Sequence, residues 1–438
     1  MKALKVLVVL FVSTLPFCAG AVDVERVISP GGIEAWLVQD HANPLVSMHF
    51  NFKGGSELDP QGKGGLANLA ASTMDEGAGD LDSQTFQRRL VDHSITLRFS
   101  AGLDRFSGQF KTLKTHEDEA FDLLRSALSE PRFDEEPVAR LKSQIQSGLR
   151  SDSEDPSVIA FTTLFQGFFK DHGYARRSKG TPKSVDAILR QDLINFVKTR
   201  IARHDLKIGV VGDMTPKRLG ELLDRTFGGL ALKPGSAEAP EIKAMSHGRV
   251  TVVEKDLVQS NIIFGHAGLK RNDPDFYIAL VMNHILGGGS FTSRLYSEVR
   301  EKRGLAYSVG TSIYPLDRAG LIIGSAGTEN ARVAETLEII RAQWKRLADG
   351  DLGQQELDDA KTYVTGSFPL SFTSTSAIAR VLVAMQVNDL GIDYLDKRNA
   401  YISSITIEDV RRVAKKLLKA DMLDVVVVGN PEGVVSKP

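Results

Sequence analysis

Apolar and polar positions alternate along this chain in a way that divides it into strands and helices. Trp36-Leu37-Val38, Ser47-Met48-His49-Phe50 and Ile95-Thr96-Leu97-Arg98-Phe99 read as strands, and the last alternates most clearly. A helix is predicted from about Glu136 to Arg150, because Val138, Leu141, Ile145 and Leu149 recur at spacings of three, four and four. Pro137 suits its first turn, where a missing N–H costs nothing. Later, Phe276 to Leu286 reads as a helix broken by Gly287-Gly288-Gly289. Phe291 to Lys302 starts another helix, and Leu321-Ile322-Ile323 is a strand. Runs of strands between pairs of helices predict an α+β sandwich with helices on one face of a mixed sheet.

The pattern comes in two copies. Asp205-Leu206-Lys207-Ile208-Gly209-Val210-Val211-Gly212-Asp213 is a buried-strand run after an amphipathic helix containing Asp192. Asp421-Met422-Leu423-Asp424-Val425-Val426-Val427-Val428-Gly429-Asn430 repeats it after a helix containing Asp409. Gly212 and Gly429 lie 217 positions apart, as do Asp192 and Asp409, and one offset shared by helix and strand argues for duplication. Residues 229–247, with Pro234-Gly235-Ser236 and Pro240, have linker composition. The expected division is therefore a domain at 22–228, the linker at 229–247, and a domain at 248–438.

Composition narrows the class. The chain has 438 residues, and its formal net charge is −1, so nothing in the balance favours a nucleic-acid partner. Residues 1–21 have the form of a signal peptide: Lys2 and Lys5, an apolar run from Val6 to Phe17, and the small-x-small Ala19-Gly20-Ala21. The run is short for a membrane span. The expected location is periplasmic. Cys18 is the single cysteine. A lipoprotein anchor there is disfavoured by Pro16-Phe17, so the mature chain would have no thiol for a disulfide or a cysteine metal site.

The longest distinctive stretch runs Gly287-Gly288-Gly289-Ser290-Phe291-Thr292-Ser293-Arg294-Leu295-Tyr296-Ser297-Glu298-Val299-Arg300-Glu301-Lys302-Arg303-Gly304-Leu305-Ala306-Tyr307-Ser308-Val309. Without a following Gly-Lys-Ser or Gly-Lys-Thr it is no phosphate loop, and the glycines are expected to break a helix and make room for an extended peptide. Together with Gly65-Leu66-Ala67, this run resembles the pitrilysin/insulinase class of metallopeptidases, the inverzincins, which include the mitochondrial processing peptidases. The resemblance covers nearly the whole exported chain. It implies two homologous α/β sandwich domains with mixed, mainly antiparallel sheets: LuxS/metallohydrolase-like halves forming a clam-shell.

It also implies a zinc motif, His-x-x-Glu-His, directly after Gly65-Leu66-Ala67. Asn68, Ala71 and Ser72 stand at those positions instead. An amide and a protonated hydroxyl are not zinc ligands, and Ala71 cannot take a proton from water. The further Glu ligand should lie around 138–150, where no acidic residue occurs from Pro137 through Ser151. Cofactors are therefore expected to be absent from this chain.

Arg300 and Tyr307, in contrast, match the family pair that reaches from the second half towards substrate. A guanidinium and a phenol can hydrogen-bond a peptide carbonyl and the oxyanion formed from it. From spacing alone they would read as a surface Arg and a packed Tyr. The resemblance favours the non-zinc subunit of a heterodimeric zinc metallopeptidase, inactive alone, with zinc and the general base on a partner chain. The alternative is a non-enzymatic peptide-binding or scaffold protein. Asp75-Glu76 and Arg176-Arg177 are expected to be solvated.

Overall fold

The computed structural model describes residues 23–235 and 238–437. The predicted signal peptide and Cys18 lie outside them. Six strands form the first sheet: β1 (Glu25–Ile28), β2 (Glu34–Gln39), β3 (Leu45–Lys53), β4 (Thr96–Ala101), β5 (Arg105–Leu113) and β6 (Lys207–Gly212), in the order β1-β2-β6-β3-β5-β4. The second sheet has β7 (Val250–Glu254), β8 (Gln259–Ala267), β9 (Ala306–Pro315), β10 (Gly320–Glu329) and β11 (Asp424–Gly429), in the order β7-β11-β8-β10-β9. Only β2–β6 and β7–β11 pair in parallel, so both sheets are mixed and mainly antiparallel.

Seven helices position the sites and close the sheets: α1 (Leu66–Thr73), α2 (Glu135–Glu154), α3 (Pro156–Phe169), α4 (Arg190–Arg200), α5 (Phe276–Asn283), α6 (Thr375–Val387) and α7 (Ile407–Leu417). The apolar stripe foreseen on α2 packs inward, with Val138 and Leu149 buried and Leu141 and Ile145 against the same cluster. α4 and α7 start and stop 217 positions apart, as do β6 and β11. The two helices are also capped alike. The Asp192 carboxylate accepts from Leu189 N at 2.8 Å, and that of Asp409 accepts from Thr406 N at 3.1 Å. The spacing that suggested duplication is thus carried through into matching elements.

Each sheet buries one face under helices of its own half, forming two large apolar clusters. The opposite faces are closed by exchange. α3, from the first half, lies on β8 and β11 of the second sheet. There Phe165, Phe168 and Phe169 bury against Ile263, Leu321, Val426 and Val428. α6, from the second half, lies on β6 and β3 of the first sheet, with Ala379, Leu382 and Met385 against Trp36, Val38 and Val211. Gly209 on β6 lets the Ala379 backbone approach: a Cβ there would sit 2.4 Å from its carbonyl oxygen. Gln386 then donates to the Ile208 carbonyl at 2.8 Å.

The segment joining the halves follows this exchange. Met245 N bonds the Phe168 carbonyl at 3.1 Å, Ile242 and Ala244 pack with α3, and Glu238 and Glu241 pair with Arg318 at 3.0 and 3.2 Å. Phe168 is fully buried at this seam. Truncating such a side chain loses its transfer energy and leaves a cavity. Phe168→Ala is expected to lower stability by about 3–5 kcal/mol, read from urea unfolding, with both halves destabilised together in a single transition.

Candidate functional site

α1 begins where the zinc motif would be. Its N-terminus is held by a buried carboxylate: Asp59 accepts from Gly65 N at 2.9 Å and Ala67 N at 3.1 Å. Arg200, from α4, donates to the same group at 3.1 Å. Burial raises the Asp59 carboxyl to about 6, against the pull of Arg200 and of the two backbone donors. Gly65 caps the helix at φ 92°, and a Cβ there would lie 2.6 Å from the Lys179 carbonyl, so only glycine fits. The scaffold of Gly65-Leu66-Ala67 is therefore built in full.

What it presents has no metal chemistry. Asn68 and Ser72 are half-buried one turn apart, and the Ser72 hydroxyl donates back to the Asn68 carbonyl at 3.0 Å. Ala71 is buried against the core. α2, packed beside α1, carries no acidic side chain from 137 to 151. Among the described residues no group of three or more His, Cys, Asp or Glu side chains is placed to hold a metal ion. An amide, a hydroxyl and a methyl group do not fit zinc.

Arg300 and Tyr307 are brought together. Arg300 lies in the wide turn Tyr296–Glu301, with five-residue hydrogen bonding, a geometry frequent at functional sites. The chain then reverses through Gly304, whose φ is 59°, with Gly304 N bonding the Arg300 carbonyl at 2.9 Å, and enters β9. The guanidinium carbon sits 4.7 Å from the Tyr307 ring centre and 5.0 Å from that of Tyr296. Such stacking contributes about 0.5–1 kcal/mol at an exposed site. The neighbouring cations Lys302 and Arg303 both pair with Glu298. Arg300 forms no ion pair among the described residues.

Tyr307 is 79% exposed on a cleft of about 350 Å³, lined also by Gln259, Ala306 and Glu329. A β-bulge aims it there. Val309 pairs with Ala326 but Ala306 pairs with Thr328, so β9 carries one extra residue. Ala306 and Val309 consequently both face the helix-covered core, and Tyr307 points away from it.

α1 packs against β4, α2 and α4, all in the first half, whereas Arg300 and Tyr307 stand on the second sheet and its preceding turn. Sequence reasoning missed Tyr296, although its place one helical turn before Arg300 was visible.

Other expectations change. The triple glycine does not open space for a peptide. A Cβ at Gly287 would lie 2.6 Å from Thr311 Oγ1, and one at Gly288 2.5 Å from Asn283 Nδ2, so close packing against β9 and α5 demands glycine. Nor are the two charged pairs simply solvated. Glu76 accepts from Arg140 at 2.6 Å, and burial raises the Asp75 carboxyl to about 6. Arg176 donates to the Glu57 carbonyl at 2.8 Å, and Arg177 pairs with Asp152 at 2.9 Å.

A second cluster that sequence reasoning missed joins the halves at the tips of the β4–β5 and β9–β10 hairpins. Arg105 pairs with Asp317 at 2.6 Å, Asp317 N donates to Asp104 at 3.3 Å, and Tyr174 hydrogen-bonds Asp104. Glu57 is buried beside them with one carboxyl oxygen unpartnered. Burial, and then the charge of Asp104, push Glu57 up to about 7, with Arg318 opposing. A carboxyl with a raised folded pKa contributes its stability below the unfolded value of 4.5 and loses it as pH rises through 7. Glu57→Gln should therefore gain up to about 3 kcal/mol on wild type between pH 4.5 and 8. Parallel urea titrations across that range measure the difference, which a solvated Glu57 would leave flat.

Comparison with known proteins bears on these features. A family model described as "Peptidase M16 inactive domain" matches residues 187–364. A Helicobacter pylori protein named "Non-peptidase homolog YmxG" is 30% identical over 336 residues, covering 76% of this chain and 77% of its own. A solved peptidase M16 inactive domain from Pseudomonas fluorescens superposes with a TM-score of 0.86 at 26% identity, covering 95% of this chain and 100% of that one. A chain of Complex III2 from Candida albicans shares the fold, with a TM-score of 0.78 at 17% identity, covering 94% of this chain and 97% of its own.

Proposed function

Because the chain belongs to the peptidase M16 family, the pitrilysin/insulinase class, yet lacks its zinc-binding motif, we propose that it is the non-zinc subunit of an exported heterodimeric zinc metalloendopeptidase. The observation that carries this reading is the contrast between two sites on one chain. The α1 scaffold is retained without ligands or base, while Arg300 and Tyr307 remain adjacent, and the exposed phenol and a guanidinium with no ion pair among the described residues line one cleft.

The division of labour follows from the donors. Zinc, held by the partner chain, would supply the Lewis acid and the activated water. On this chain the Tyr307 hydroxyl and the Arg300 guanidinium hydrogen-bond the scissile carbonyl, and the cation opposes the charge that develops on its oxygen. Contact with the rings of Tyr296 and Tyr307 restrains the guanidinium, so less freedom is lost when substrate arrives. The competing reading, a peptide-binding or scaffold protein of the same fold, has no need of either donor.

The purified chain alone is expected to bind no stoichiometric zinc and to cleave no peptide. Co-expressed with a zinc-bearing relative, it should copurify as a stable pair that is active. Arg300→Ala should then lower kcat by about 10²–10³-fold, the effect of losing one oxyanion donor, with the pair intact by size-exclusion chromatography. Undiminished turnover by that variant pair would support the scaffold reading. Recovery of the processed chain in a periplasmic fraction tests export.

A further inference from the structure

The exchange of α3 onto the second sheet leaves a cavity of about 420 Å³ in the seam between the halves, remote from the Arg300–Tyr307 cleft in its lining residues. This is within the size range of small-ligand sites and far beyond the volume of a single water. Its floor is apolar and comes from both halves: Phe161 and Phe165 of α3 and Leu103 from the first, Ile263 of β8 and Tyr314 of β9 from the second. Phe161 and Phe165 stack at 4.3 Å, and Tyr314 stands edge-on to Phe165 at 5.7 Å, so the wall is built of packed aromatic rings.

One side of the cavity is cationic. Arg176, Arg177 and Lys179 all line it, and the single acidic residue among the lining, Asp152, is shared by Arg177 and Lys179 at 2.9 and 3.2 Å. Arg176 has no ion pair among the described residues. Among the described residues its side chain bonds only the Glu57 carbonyl, and its Nε is buried without a partner. A positive charge held beside an apolar pocket with unused donor capacity is a poor arrangement for an empty protein and a good one for an anion.

We infer that this seam cavity binds the C-terminal carboxylate of a peptide ending in large apolar residues, with the carboxylate on Arg176 and the terminal side chains against Phe161, Phe165 and Tyr314. Fatty acids share the head and apolar body. Ser157, Thr162 and Ser178 also line the cavity, and residues of this hydroxyl-bearing type favour a peptide, whose amide groups they can bond and an acyl chain lacks. The site is complete on this chain, so it stands whether or not a zinc-bearing partner exists.

Isothermal titration of the processed full chain tests it with three probes: Ala-Ala-Ala-Leu-Phe as free acid, the same peptide as C-terminal amide, and laurate. The free acid is expected to bind at least tenfold more tightly than the amide. Arg176→Gln should remove that preference, bringing the acid to the affinity of the amide on the same variant. Thr162→Trp, which fills the cavity from α3 without touching the cations, should abolish binding of the acid, with far-UV circular dichroism retained. It carries the test if Arg176→Gln fails to fold. Equal binding of acid and amide, no binding of the acid at millimolar concentration, tighter binding of laurate than of the peptide, or full binding by a folded Thr162→Trp would each overturn the inference.

Discussion

Both sheets of this protein are apolar on two faces, and the helices of one half cover only one of them. Burial of the second face is the constraint on which the rest depends. It is met by reciprocal exchange, with α3 closing the second sheet and α6 closing the first. Burying a Phe or Leu side chain is worth about 1.5–3 kcal/mol, and Phe165, Phe168, Phe169 and Leu382 are all below 4% exposed at these seams. Neither half could leave the other without exposing that surface to water. The connecting segment from 238 to 247 therefore lies strapped along α3, held by Met245, Glu238 and Glu241.

The same exchange places the chemistry. It sets Leu103 and Tyr314 on one cavity and brings the β4–β5 and β9–β10 hairpin tips together around Asp104, Asp317 and Glu57. Burial in that seam, and then the charge of Asp104, is why the Glu57 carboxyl is raised. The Arg300–Tyr307 pair lies at the other end of β9 from this seam, on a bulged strand at the sheet edge. One strand thus links a cleft of hydrogen-bond donors to an apolar, cation-flanked cavity.

At α1, packing and chemistry have parted. Asp59, Arg200 and Gly65 still pin the helix start, because they satisfy buried donors and a left-handed turn that the fold needs regardless of metal. The ligand positions carry no such burden. Asn68 and Ser72 are half-buried and Ala71 packs into the core as a small apolar residue, so the helix holds with no metal ligand at any of the three. Loss of metal chemistry and retention of fold are both consequences of that separation.

Local pattern settled a good deal. The strands at 36–38, 47–50 and 95–99 and the α2 stripe were legible because each depends on periodicity within a short window; the 217-residue repeat was legible from one offset shared by two matching runs, and the degenerate zinc motif by resemblance. The run from 287 to 309 marked Arg300 and Tyr307 by resemblance. Only the tertiary structure decided which helix covers which sheet, because α3 and α6 are apolar enough to bury anywhere and nothing in their own residues names the partner strand. It alone decided that Arg177 has an ion pair while Arg176 has none among the described residues, that the triple glycine is crowded, and that Tyr307 turns outward. These outcomes depend on what arrives from a hundred or more positions away, or on a one-residue register shift, and neither leaves a mark on local hydrophobic pattern.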